Sequence, residues 1–189
     1  MQNSCQSRFL IFFKAQHVKE VYCVLRPASC VLYLIGAPMR RSDKQITDPA
    51  ELESLLHSGD LCHLSMVDDG KPYVVPLNFG YADGALYFHS APEGRKIDVL
   101  RKNPDVCFSI VGRYDLVGGE KACSWTAKYS SVIGTGKAII VEDRAGKEKG
   151  LAILMGQYSD KGYEFSEVDL TGIVVIKVRI EEMTGKSSG

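Results

Sequence analysis

The segment "LCHLSMVDDGKPYVVPLNFGYADGALYFHS", residues 61–90, carries the pattern that decides the fold. Residues 61–67 alternate apolar and polar side chains, the period of a half-buried strand. Asp68, Asp69, Gly70 and Lys71 read as a tight hairpin turn, and residues 72–81 as the return strand. Ala82, Asp83 and Gly84 make a second tight turn into "ALYFHS". Asp-Gly between alternating runs is a strong hairpin signal, because both central turn positions need positive φ. The expected product is a three-stranded antiparallel meander. Pro76 interrupts the middle strand and removes a ladder donor, so that strand is expected at an edge or at a deliberate break.

Outward from this core, "ITDPAELESLLHSG" (46–59) opens as a helix should. Asp48 can cap, Pro49 suits the first turn, Glu51 completes a capping box, and Gly59 ends it. On the other side, a helix at about 93–102 is stopped by Pro104 and followed by a strand at 105–112. Residues 123–143 hold one long strand or two, with Gly134 and Gly136 marking a bulge or bend. A weaker helix at about 143–158 precedes a β-branched strand at 172–186. About six strands with two or three peripheral helices make an α+β fold, and glycine-bent antiparallel strands point to a small barrel. Strand and helix do not alternate regularly and no G-x-G-x-x-G follows a strand, so a Rossmann arrangement is not expected.

The 189 residues are 45% hydrophobic and 24% charged, which suits one globular domain with an extension. With 23 basic and 23 acidic residues, no basic surplus points to nucleic acid. Residues 1–38 differ in composition from the rest, and the expectation is a leader outside the fold, with Met39 as a functional start or a weak targeting segment before it. The domain is then 39–189. The apolar runs "RFLIFF" and "ASCVLYLIGAP" fall short of the roughly 20 residues a membrane span needs, so no membrane partner is expected. Cys62, Cys107 and Cys123 form no C-x-x-C and no zinc-finger spacing. They read as core thiols in a reducing compartment, hence a cytoplasmic protein.

Three stretches carry chemistry. In "LYFHSAPEGRKIDVL" (86–100), a strand ends at His89 and Ser90 and a helix opens at Arg95 and Lys96. A helix start offers free N–H groups and partial positive charge, so this corner is either a phosphate seat or a solvated helix start with two surface cations. In "VVPLNFG" (74–80), Pro76 frees backbone groups and Asn78 adds an amide. That suits a planar heterocycle with polar edges, or an ordinary protected edge strand. In "SWTAKYSSVIGTG" (124–136), Trp125 and Tyr129 can cover a flat ring while Ser130 and Ser131 hold a phosphate or ribityl chain; for Trp125, core packing is an equal alternative. No G-x-S-x-G is present and no cysteine has a basic partner in sequence, so nucleophilic catalysis is not expected. His63 and His89 lie on different strands without a third ligand, so no metal site is expected. The pairs Asp68–Asp69 and Glu181–Glu182 read as turn and surface acids.

The segments "HLSMVDDGKPYVVPLNFGY", "LYFHSAPEGRKIDVLRKNP", "CSWTAKYSSVIGTGKA" and "EEMTGK", in this order, resemble the FMN-binding split-barrel superfamily related to pyridoxamine 5'-phosphate oxidase, in its nitroimidazole-resistance branch. The resemblance covers about Met39 to Lys186. It implies a six-stranded antiparallel split β-barrel that dimerises, with FMN in clefts at the subunit interface. Val75, Pro76, Leu77 and Asn78 would edge the isoalloxazine, His89 and Ser90 would lie at the cofactor, and Arg95 with Lys96 would hold its phosphate. Ser130 and Ser131 would also face the cofactor, beside Trp125 as the ring-covering candidate of the same stretch, and His89 would be the active-site histidine. The family often carries an arginine where Ser130 stands, so one cation is missing from that stretch. The implied activity is FMN-dependent reduction of a small acceptor such as a nitroimidazole or nitroaromatic compound, with NAD(P)H as a candidate electron donor. Alternatives are a flavin- or haem-binding protein without turnover, a pyridoxamine-phosphate-oxidase-like enzyme, and a deazaflavin in place of FMN.

Overall fold

A computed structural model describes residues 39–189 and the backbone of two earlier strands, β1 (Glu20–Arg26) and β2 (Ser29–Ile35). These two form an antiparallel hairpin, and β2 meets the last strand in parallel, Leu34 opposite Glu182 and Ile35 opposite Met183. The rest of residues 1–38, and with it the expected boundary at Met39, lies outside the described residues.

The body runs β3 (Gln45–Ile46), α1 (Pro49–Ser58), β4 (Cys62–Asp68), β5 (Lys71–Leu77), β6 (Gly80–Ala82), β7 (Ala85–Ser90), α2 (Arg95–Lys102), β8 (Asp105–Val117), β9 (Thr126–Val141), α3 (Arg144–Gly156) and β10 (Val174–Ser188). The α+β class holds. Eight strand segments replace the expected six because two short pieces add to the count, β3 with 2 residues and β6 with 3. Residues 126–141 are one strand, and both hairpin turns form as expected, with φ of 49° at Asp69, 80° at Gly70, 50° at Asp83 and 71° at Gly84. Asp48 caps α1 by accepting from the amide of Ala50 at 2.9 Å.

The meander expectation needs correction. β5 pairs with β4 and stands at the end of the order β10-β9-β8-β4-β5, while β6 and β7 pair with each other and β7 with β10. Among the described residues no ladder joins β5 to β6 or β7, so the sheet opens between them. The break is marked locally: Pro76 cannot donate, and the chain leaves strand geometry at Asn78 and Phe79 before resuming at Gly80, after which β7 is taken up by β10.

One core fills the space between the strands, built on Leu64, Phe79, Leu86, Phe88, Phe108, Ile110, Val132 and Ile176, and closed by Leu52 and Leu56 of α1 and Ile97 and Leu100 of α2. A smaller cluster of Ala85, Tyr87, Leu151, Leu170 and Val175 seats α3 on the opposite face of β7 and β10. The bend at Gly134 and Gly136 is a matter of space. A Cβ at Gly134 would stand 2.4 Å from Phe108 Cζ and 2.6 Å from the Glu182 carbonyl oxygen, opposite a register shift between Ile180 and Glu182.

Candidate functional site

The corner between β7 and α2 is built by a backbone that only glycine tolerates. Gly94 sits at φ 109°, ψ 165°, and no side chain caps the helix. A Cβ there would meet nothing, so the conformation rather than crowding selects glycine. The first helical bond runs from the Asp98 amide to the Gly94 carbonyl at 3.1 Å. The amides of Arg95, Lys96 and Ile97 therefore precede the helical ladder and face outward as donors.

The two adjacent cations are in different states. Arg95 Nε donates to Asp68 Oδ2 at 2.9 Å, and its guanidinium lies 4.3 Å from the Tyr73 ring centroid. The β4–β5 hairpin thus holds the fork in place while its terminal amino groups remain available. Lys102, at the other end of α2, is 3.9 Å from Asp69 of the same hairpin. Lys96 is half-buried, and among the described residues it has no carboxylate partner. Burial pushes its pKa down from the ordinary lysine value. A desolvated ammonium beside three free amides is electrostatically incomplete without an anion.

Along β5, Val75 and Leu77 turn toward the core, whereas Pro76 is exposed. A ring lying against this edge would meet the Pro76 side chain and the unpaired backbone, with Val75 and Leu77 contributing main chain only. Asn78 is exposed, its amide reaching the Asp60 carbonyl only at 3.5 Å. His89 and Ser90 face opposite sides of the sheet. His89 pairs with Val175 of the α3 cluster and is exposed, while Ser90 pairs with Val174 of the main core.

Ser130 and Ser131 also divide. The Ser130 hydroxyl accepts the Arg113 amide at 3.0 Å, which secures the register shift between Val111 and Tyr114. Ser131 is opposite Val111 on β8 and Lys186 on β10. Trp125 is 54% exposed at the far end of the β8–β9 hairpin, against Gly118. The ladders put Ser131 four residues along β8 from the rung of Val74, Ser65 and Cys107, and three strands across from β5. That is roughly 20 Å over the sheet, with Trp125 farther still. Within one chain, then, the corner residues and the β9 residues form two separate groups. Asp68 and Tyr73, the supports of Arg95, were not among the sequence candidates; Asp68 reads as a turn acid, and only the folded hairpin brings it to α2.

The described residues contain no group of three or more His, Cys, Asp or Glu able to hold a metal ion, and no helix long and apolar enough to cross a membrane.

The family model described as "Pyridoxamine 5'-phosphate oxidase" matches residues 48–187. The chain belongs to this family. Among solved structures, the pyridoxamine 5'-phosphate oxidase-like chain is similar to a protein described as a 5-nitroimidazole antibiotic resistance protein from Bacteroides thetaiotaomicron, at 29% identity over 98% of this chain and 95% of that one, with a TM-score of 0.67. It shares the fold of a flavocytochrome from Azotobacter vinelandii, at 21% identity over 80% of this chain and 72% of that one, TM-score 0.69. It likewise shares the fold of an FAD and haem binding protein from Mycobacterium smegmatis, at 20% identity over 77% and 73%, TM-score 0.68. No curated protein matches the chain.

Proposed function

We propose that this chain is an FMN-dependent oxidoreductase, working as a homodimer in the cytoplasm, that reduces a small nitro compound. The carrying observation is the half-buried, unpartnered ammonium of Lys96 beside the uncapped start of α2. The same corner could seat the phosphate of FMN: the amides of Arg95, Lys96 and Ile97 donate, Lys96 supplies charge, and Arg95 adds its terminal amino groups from a fixed position. Bound FMN would supply the electron transfer. Pro76 would cover an edge of the ring, Asn78 would donate or accept at its polar rim, and Ser90 would lie near the phosphate. We assign to His89, exposed at the end of β7, the delivery of a proton to the reduced acceptor. Family membership supports the cofactor. The nitro acceptor rests on similarity to the protein described as a nitroimidazole resistance protein.

A second copy is part of the reading because one chain separates its half-sites. The outer sheet face and the β8–β9 arm expose Val74 (54%), Val111 (45%), Tyr114 (63%), Leu116 (61%) and Ile133 (52%). An apolar stripe of this kind suits a partner surface. A two-fold axis through it would set Ser131 and Trp125 of one copy over the β5 edge and α2 corner of the other. Of the three expected core thiols only Cys62 is buried, Cys107 and Cys123 being exposed on β8 and in the β8–β9 connection; all three are free, which suits a reducing compartment. We take residues 39–189 as the working unit.

The test is a visible spectrum of the purified protein, with identification of what denaturation releases. A flavin band releasing FMN, followed by anaerobic reoxidation of the reduced protein by a nitroimidazole, is the expected result. A colourless protein that takes up no added FMN would overturn the proposal, and a Soret band would replace FMN by haem.

A further inference from the structure

Tyr129 gathers charge that the FMN reading leaves unused. Lys44 Nζ lies 5.9 Å and Lys186 Nζ 5.7 Å from its ring centroid. The topology enforces this. Lys186 on β10 sits between Ser131 of β9 on one side and Gln45 of β3 on the other, so Lys44, one residue earlier, arrives at the same place. Ser188, opposite Tyr129 on β10, receives a hydrogen bond from Lys44 Nζ at 2.7 Å. Both lysines are half-buried, and among the described residues neither forms an ion pair. Arg41, also near Tyr129, is taken by Asp43 at 2.7 Å.

Two half-buried ammonium groups on one aromatic ring repel each other; Asp43, already paired with Arg41, offsets Lys44 only in part, and among the described residues no carboxylate forms an ion pair with either lysine. An aromatic face attracts each of them only modestly. What completes such a cluster is an anion held by the ammonium groups, with the Ser188 hydroxyl as a further donor. Two positive charges fit a dianion, which at neutral pH means a phosphate monoester rather than a single carboxylate. This seat cannot share the phosphate of the Lys96 corner of the same chain, because β5 and β9 are separated by two strands.

We infer that Lys44 and Lys186, flanking Tyr129, form a second anion seat that binds a phosphate monoester separate from the flavin. The inference does not depend on the flavin reading. Its test is titration of the full chain, as purified and after addition of FMN, with inorganic phosphate at low salt, followed by phosphorus NMR or calorimetry. Saturable binding is expected, weakened about tenfold or more by Lys186→Gln and by Lys44→Gln. Lys186→Arg should restore it, and Lys161→Gln, at an exposed lysine in the segment after α3, should leave it unchanged. Thermal midpoints of the variants control for folding. Binding that does not saturate, or that survives both glutamine variants, overturns the inference. So does loss of FMN uptake in those variants, since the charge would then belong to the cofactor. Failure of FMN uptake in the wild type with phosphate binding intact would sink the flavin reading alone.

Discussion

Replacing Lys96 by methionine should weaken FMN binding and, in the same protein, leave the flavin-free fold as stable or more so. Methionine keeps the apolar stem that packs at the α2 corner and removes only the ammonium. A hydrogen bond to a charged group contributes about 1.5–3 kcal/mol, which converts to roughly 10- to 150-fold in Kd. Lys96 is half-buried and Arg95 shares the task, so the lower part of that range, about 10- to 50-fold, is expected. Without cofactor the ammonium is desolvated and unpaired, and its removal should raise stability by up to about 1 kcal/mol. The pH dependence follows the same sign. Burial lowers the folded-state pKa of Lys96, so the unfolded chain binds more protons in the window below the ordinary lysine value. Stability of the flavin-free wild type should therefore gain a contribution as pH rises through that window, and bound phosphate should abolish the gain. The assays are titration of FMN into flavin-free protein by fluorescence quenching, and urea unfolding with and without FMN. A variant that binds FMN within twofold of wild type while losing stability would refute the reasoning, since Lys96 would then be a packing residue.

Asp68→Ala should weaken FMN binding about three- to tenfold by releasing the Arg95 fork, while changing stability by only about 0.2–1 kcal/mol, the range for an exposed pair; tighter binding would mean that Asp68 competes with the phosphate. Gly134→Ala should destabilise by about 2–3 kcal/mol, because its Cβ would press on Phe108 and on the Glu182 backbone; an unfolding midpoint equal to wild type would show that the strand yields there. Burial pushes the Cys62 thiol up to about 12. Iodoacetamide at pH 8 should leave Cys62 unmodified in the folded chain, as read by peptide mass. Because its folded-state pKa is raised, the stabilisation it contributes is complete below the usual thiol range and should fall away as pH rises from about 9 toward 12, a loss absent in Cys62→Ala.

The elements were legible where a local rule decides them. Asp-Gly at 69–70 and at 83–84 fixes two turns, Asp48 and Pro49 fix the start of α1, and Pro104 bounds α2. Pairing between elements was not. The sequence of residues 61–90 is that of a meander, yet β5 and β7 belong to different parts of the sheet. Pro76 announces a break without saying which strand takes up the freed edge. That is settled by β10, whose 15 residues are long enough to pair with β9 along one edge and with β7, β2 and β3 in succession along the other. No local signal in 61–90 contains that competition.

The site was legible as chemistry and illegible as geometry, and the reason bears on function. Arg95 and Lys96 are adjacent and look equivalent, but they leave the first turn of α2 in different directions. One meets Asp68 and Tyr73 of the hairpin, and the other is driven inward without a counter-charge. Serines 130 and 131 look like one motif, yet strand alternation gives the first to a bulge and the second to the outer face. Each paired motif therefore contributes one residue held in place by the scaffold and one left wholly for a ligand. The ligand-facing members, Lys96 at the corner and Ser131 on β9, lie in separate regions of one chain. A flavin long enough to touch both must bridge two copies, so dilution that separates the copies should release the cofactor before the fold melts. Cofactor retention that is independent of protein concentration down to the monomer would show that the corner alone suffices.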